Sequence, residues 1–338
     1  MSNLKIDLGK YNVGEVTPEI ANRINGALEN VLKNVENLSQ NDYKALCEYQ
    51  DEDGGFKIVT YRSLHGEEAL DLYFKPSYYA TLILINVRIL NIYPVDINKI
   101  ATALDFCSIN NLLGHGYDAL KEQIANIKLF CENNILQFMS MYPNLSKNFY
   151  ELVNNIKKSY EIMIKEGNTY SDWGVNCYDE MSEVISLMNP TRYYLAYGSN
   201  LNKYQMMFRC PNAKCVGTSV IKGYRLAFDL YLTIKKDALK EVPVGIWEIN
   251  EDDERALDRY EGFPNIYRKE YIKVDVNGLQ KLCLVYIMNN VLNRMGVNPT
   301  NEYILRCEKG YKDFGFDISI LNSADNRWKD MVWYRRGH

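Results

Sequence analysis

At Asn189-Pro190 the hydrophobic period of the chain changes, and this change constrains the fold more than any other feature. Upstream, apolar residues recur at helical spacing in Thr17 to Val35, Asn41 to Tyr49, Pro76 to Leu90, Ile97 to Phe106, Tyr117 to Phe138, Phe149 to Lys165 and Tyr178 to Leu187. Downstream, Tyr193 to Ala196 and Val242 to Ile249 read as short buried strands. A proline ends a helix and biases the residue before it toward extended backbone, so the boundary belongs here. With 338 residues, 47% of them hydrophobic and 24% charged, the chain can bury two ordinary cores. The expected fold class is α+β, with an all-α helical domain of unknown role over 1–190, a strand-rich domain over 191–325 and a tail over 326–338.

Two segments of the second domain carry chemistry. In Tyr193-Tyr194-Leu195-Ala196-Tyr197-Gly198-Ser199-Asn200-Leu201, an apolar strand runs into a small-residue turn, and Lys203 to Arg209 has helical composition. Gly198 lets the backbone approach a ligand without a Cβ, and the N–H groups of Gly198, Ser199, Asn200 and Leu201 are predicted to converge where the helix begins. Such donors favour a carboxylate or a developing oxyanion, although plain turn chemistry accounts for the same residues. The second segment starts with Asn250, which can cap a helix opening on Glu251-Asp252-Asp253-Glu254 and closing with Leu257-Asp258-Arg259-Tyr260-Glu261 before Gly262-Phe263-Pro264. Glu261 then sits at the negative helix pole, which disfavours its ionised form, and a raised pKa suits a proton-shuttling carboxylate. The alternative at that position is a solvated helix end.

These residues also carry a family resemblance. Tyr197-Gly198-Ser199-Asn200 after a first strand, Arg209-Cys210-Pro211, Gly223 to Phe228, Val244-Gly245-Ile246-Trp247, Leu257 to Gly262 followed by Tyr267-Arg268, and Tyr286 to Met288 resemble the gamma-glutamylcyclotransferase, or AIG2-like, family in order and spacing. Pro299 to Tyr303, Gly310-Tyr311 and Phe314-Gly315 extend the resemblance to about residues 191–325. It implies a small mixed β-barrel with flanking helices and an intramolecular acyl transfer on a gamma-glutamyl compound, releasing 5-oxoproline and a free amine or amino acid. It also implies Glu261 as general acid and base and the Tyr197–Leu201 loop as the anion site, with Tyr303 as a site tyrosine and Tyr267 as a lesser candidate. With 27 tyrosines in the chain, packing is the competing role for both. The implied reaction needs no metal and no cofactor, and the implied partner is a small gamma-glutamyl substrate.

Composition narrows the other possibilities. A net charge of −4 and the lack of a Lys/Arg run argue against nucleic acid. Met1 to Lys5 has no signal-peptide apolar region, and the longest apolar stretch, Tyr78 to Val87, is too short to span a bilayer, so a cytoplasmic protein without a membrane partner is expected. Eight scattered cysteines fit a reduced compartment, and Cys210 and Cys215 with His65, His115 and His338 do not assemble a zinc site or a Ser-His or Cys-His nucleophile.

In the helical domain, Gln50-Asp51-Glu52-Asp53-Gly54-Gly55-Phe56 resembles the Gln-x-x-Asp-Gly-Gly-Phe element of prenyltransferase and terpene-cyclase α/α repeats, in a single copy. The glycines arrive too early for a calcium loop. A packing role, or a protein partner or self-association through this domain, is the expectation. For the chain as a whole the alternative to catalysis is a small-acid-binding module whose helical domain meets a partner. Having both the loop and Glu261 favours catalysis.

Overall fold

A computed structural model of the chain describes residues 17–56, 74–111, 119–145, 147–165, 178–229, 231–289 and 299–324, and it divides between Pro190 and Thr191 into two compact units. Among the described residues, the first unit holds α1 (Pro18–Lys33), α2 (Gln40–Glu48), α3 (Lys75–Ile89), α4 (Ile97–Asn111), α5 (Ala119–Glu132), α6 (Ile135–Met141), α7 (Lys147–Lys165) and α8 (Tyr178–Met188). Thr17 and Ser39 cap α1 and α2 by accepting the N–H groups of Ile20 and Asp42. Helix α3 is apolar on every side, with Tyr78 and the run Leu82 to Ile85 buried, so it forms the centre against which α1, α4 and α6 pack. The single helix predicted over Tyr117 to Phe138 is broken into α5 and α6, because Asn134 takes the left-handed conformation (φ 67°) that asparagine tolerates. Among the described residues no helix is long and apolar enough to cross a membrane.

The Gln50–Phe56 element is consumed by packing. Gln50 and Phe56 pair across the turn, the Gln50 amide donates to the Lys99 carbonyl at 2.8 Å, and the buried Phe56 donates its N–H to Ser77 Oγ at 2.8 Å. Gly54 has φ 92°, and a Cβ there would lie 2.2 Å from the Thr102 carbonyl oxygen, so only glycine fits between this turn and α4.

The second unit is a five-stranded mixed sheet with flanking helices. Strands β1 (Arg192–Ala196), β2 (Lys214–Phe228), β3 (Leu232–Ile249), β4 (Tyr267–Val276) and β5 (Leu279–Met288) lie in the order β2-β3-β1-β5-β4. Central β1 runs antiparallel to β3 and parallel to β5, and its Tyr194, Leu195 and Ala196 are buried. The edge strands β2 and β4 approach each other, so the sheet curls toward a barrel. Helix α9 (Lys203–Arg209) follows β1, α10 (Glu251–Glu261) follows β3, and α11 (Asn301–Asp313) and α12 (Ile318–Asn322) close the unit. Asn250 and Asp253 form a reciprocal capping box that starts α10, and left-handed Gly262 stops it.

Candidate active site

Strand β1 ends in the middle of the sheet, and the chain there turns through Tyr197 and Gly198 into a single 3₁₀ turn, Ser199–Leu201. The helix expected over Lys203 to Arg209 forms over those residues, and the Asn202 side chain caps it by accepting from Gln205 N–H. The loop amides therefore precede the helix N-terminus. The Leu201 N–H is occupied, donating to the Gly198 carbonyl at 3.0 Å, and its side chain is fully buried against Gly245 and Gly310. Leu201 is thus an anchor behind the loop. The N–H groups of Gly198, Ser199 and Asn200 make no backbone hydrogen bond among the described residues.

Those three residues face a cleft, partly open to solvent, that Tyr197, Glu261, Tyr267 and Tyr303 also line. All the sequence-predicted site residues except Leu201 meet there, and Tyr194, Leu232 and Tyr286 complete the wall. Gly198 has an ordinary negative φ of −127°, so its conformation does not demand glycine. A Cβ on it would touch Leu232 Cδ2 at 3.4 Å and the Tyr303 hydroxyl at 3.7 Å, which leaves room for a methyl but makes anything larger fill the cleft.

Glu261, the last residue of α10, reaches this cleft and accepts a hydrogen bond from Asn200 Nδ2 at 2.8 Å. Burial pushes its pKa from 4.5 up to about 7, against the opposing pull of Arg209 and the Asn200 amide. The raised value has desolvation as its principal cause, rather than the helix pole. The residue as a whole is only half-buried, so water reaches part of it while the carboxyl sits among aromatic rings.

The hydroxyls around the cleft divide into two kinds. Tyr197 donates to the Tyr286 carbonyl at 2.6 Å, Tyr267 to the Leu232 carbonyl at 2.9 Å and Tyr286 to Asp258 Oδ1 at 2.6 Å, so each spends its proton within the protein. Tyr194 and Tyr303 instead accept, from Asn200 Nδ2 at 2.8 Å and from Leu232 N–H at 3.2 Å. The Tyr194 proton remains for another acceptor, while the Tyr303 hydroxyl also meets the buried Cys307 thiol. Burial raises all five hydroxyls above the usual tyrosine range, which keeps them neutral. Such a cleft combines one titrating carboxyl, neutral donors and three loop amides, a set suited to moving a proton beside a developing oxyanion.

Part of the second unit is similar to a known family. Residues 194–305 match the family Gamma-glutamyl cyclotransferase, AIG2-like. The matched segment begins at Tyr194 in β1 and ends in α11, so it contains every residue that lines the cleft. Among solved structures, a gamma-glutamyl cyclotransferase is 20% identical over 43% of this chain and 99% of its own, with a TM-score of 0.36. YkqA from Bacillus subtilis is 19% identical over 46% of this chain and 58% of its own (TM-score 0.34). An AIG2-like protein from Mus musculus is 17% identical over 34% and 82% (TM-score 0.27). No curated protein matches the sequence.

Sequence reasoning missed Tyr194, Leu232 and Tyr286 on the wall, and Arg209 and Tyr260 behind it. Tyr194 sits inside the quoted strand and Tyr286 inside the quoted Tyr286-Ile287-Met288 run, so strand alternation from Ala196 was the signal available for the first. Leu232 carried no signal, because its place depends on the fold-back of β2 onto β3. Among the described residues of the two units, no cluster of three or more His, Cys, Asp or Glu could hold a metal, and the seven described cysteines are free. His65, His115 and His338 lie outside the described residues, as does the 326–338 tail.

Proposed function

We propose that the second unit catalyses gamma-glutamyl cyclotransfer. The α-amino nitrogen of a gamma-glutamyl group attacks its own side-chain carbonyl carbon, a five-membered lactam closes, the bond to the attached amine breaks, and 5-oxoproline and that amine leave. Glu261 takes the proton from the attacking ammonium and returns one to the departing nitrogen. The Gly198, Ser199 and Asn200 N–H groups hold the tetrahedral oxyanion, and Tyr197, Tyr267 and Tyr303 shape and orient the substrate. Because attack is intramolecular, holding the substrate folded supplies an effective molarity on the order of 10⁵ to 10⁸ M, and the protein has only protons and charge to manage.

The observation that carries this reading is the carboxyl of Glu261, pushed up to about 7, in the same cleft as the three loop residues with uncommitted N–H groups. A group titrating near neutrality is matched to taking and returning a proton in one cycle. The family match over residues 194–305 supports a cyclotransferase-type reaction in general.

The test is 5-oxoproline release from gamma-glutamyl amino acids, gamma-glutamylamines and glutathione by wild type and by Glu261→Gln. Release by wild type, with turnover in the variant lower by about 10² or more, is the expected result. Equal turnover in the two proteins would remove Glu261 from the chemistry, and silence across the panel with retained binding of a small acid would make the unit a binding module.

A further inference from the structure

Arg209 ends α9 outside the cleft wall, yet three contacts tie it to the wall. Its Nη1 donates to Asn200 Oδ1, its Nη2 donates to Gln205 Oε1 at 2.9 Å, and its guanidinium lies over Tyr260 with 3.5 Å from Cζ to the ring centroid. Tyr260 OH in turn shares a 3.2 Å hydrogen bond with Ser199 Oγ. One cation thus touches supports of both Ser199 and Asn200.

We infer that Arg209 is the positioning residue for Glu261, acting by locking the Asn200 amide so that its nitrogen, not its oxygen, faces the carboxyl. An asparagine amide has an acceptor end and a donor end of nearly equal shape, and only its partners decide which way it lies. With Arg209 on Oδ1, both hydrogens of Nδ2 are directed to Tyr194 OH and Glu261 Oε1, each at 2.8 Å. The flipped amide would set its NH₂ against a guanidinium and its oxygen against a carboxylate, two repulsions in a low-dielectric site. The locked amide occupies Glu261 Oε1 and leaves Oε2 for the substrate amine.

Charge adds a second effect. The titratable groups facing Glu261 are the hydroxyls of Tyr194, Tyr197, Tyr267 and Tyr303, all neutral, and Arg209. Arg209 is therefore the fixed cation among them, and it favours the ionised carboxylate that a base requires.

This inference rests on the proposed role of Glu261, and its test has a readout that does not need turnover. The Glu261 carboxyl is titrated by carbon-13 NMR in wild type, Arg209→Gln and Arg209→Lys, and the pH profile of 5-oxoproline release is followed beside it. Arg209→Gln should move the Glu261 titration, and the acidic limb of kcat/KM, upward by about one pH unit. Arg209→Lys keeps the charge and loses the forked lock, so its limb should stay near the wild-type pH while kcat falls roughly tenfold or more through misplacement of the carboxyl. An unmoved Glu261 titration in Arg209→Gln, or wild-type kcat in Arg209→Lys, overturns the inference. A moved titration in a protein that releases no 5-oxoproline upholds the role of Arg209 and overturns the proposed reaction. In Arg209→Gln, a support that was only structural would lower activity equally at every pH and leave the Glu261 titration in place.

Discussion

The hydroxyl of Tyr303 accepts the backbone N–H of Leu232 at 3.2 Å, while Tyr267 donates to the carbonyl of the same residue at 2.9 Å. Leu232 opens β3 and lines the cleft, so the two tyrosines from α11 and β4 fasten both polar groups of one wall residue. Tyr231, beside it, packs its ring on Tyr303 with centroids 5.2 Å apart. These tyrosines act on the cleft through the β2–β3 hairpin as well as through their own rings.

Tyr303→Phe keeps the ring and removes the acceptor. The Leu232 N–H is then left without its partner, which should lower stability by about 1–3 kcal/mol, and KM should rise as the wall loosens. Urea unfolding read beside steady-state kinetics checks both. Unchanged stability would mean that water replaces the hydroxyl.

The pH dependence of Glu261 has a definite sign. Its carboxyl holds a proton more tightly in the folded protein, at about 7, than at its ordinary 4.5, so between these values the folded state carries more protons than the unfolded state. The corresponding stability is complete below about pH 4.5 and is lost as pH rises through about 7. Glu261→Gln is neutral throughout and should gain on wild type between pH 5 and pH 8 by at most about 3 kcal/mol, less because solvent reaches the half-buried residue. Thermal unfolding of both proteins at the two pH values measures the gap. Activity has the opposite slope: below about pH 7, kcat/KM should fall as the base is protonated.

Lys269 is buried with its ammonium 2.7 Å from Glu254 and 2.8 Å from Asp258, and Asp258 also accepts from Tyr286 on the cleft wall. Lys269→Met leaves two carboxylates without their shared cation and should destabilise the protein by about 3–5 kcal/mol at neutral pH. Urea unfolding at neutral pH checks this, and an unchanged midpoint would mean that the two carboxylates find other partners.

Gly310→Ala strikes the loop from behind. A Cβ on Gly310 would lie 2.6 Å from Leu201 Cβ and 2.8 Å from Asn202 N, and neither atom is the end of a flexible side chain. The better helix propensity of alanine is outweighed by overpacking, for a net loss of about 1–3 kcal/mol. Turnover should drop with it, because Ser199 and Asn200 ride on the displaced turn. Full activity in this variant would separate the Leu201 anchor from the cleft.

Local chemistry made much of the second unit legible. Asn250, the acidic first turn and Gly262 delimit α10 in the sequence as they do in the structure. The outer arms of the β2–β3 hairpin were not legible as strand, because Lys235 to Glu241 is charged and mostly exposed and carries no apolar alternation. In the site, residues adjacent to the glycine turn could be read, whereas Arg209, Tyr260 and Leu232 could not. Their roles come from contacts across 9, 61 and 71 residues, to Asn200, Ser199 and Tyr303 respectively, which no local pattern encodes. Leu201 was read as part of the anion loop from its neighbours, and only the close approach of Gly245 and Gly310 reveals it as an anchor.

Central β1 pairs with β3 and β5, strands that follow it by roughly fifty and ninety residues. Both contacts close long loops, the slow kind of step in folding. The turn after β1 therefore cannot be held in place until nearly the whole second unit has been synthesised and paired. Competence at the cleft should be among the last properties to appear during refolding, after helical circular dichroism has recovered, and nascent chains ending before Leu279 should lack it.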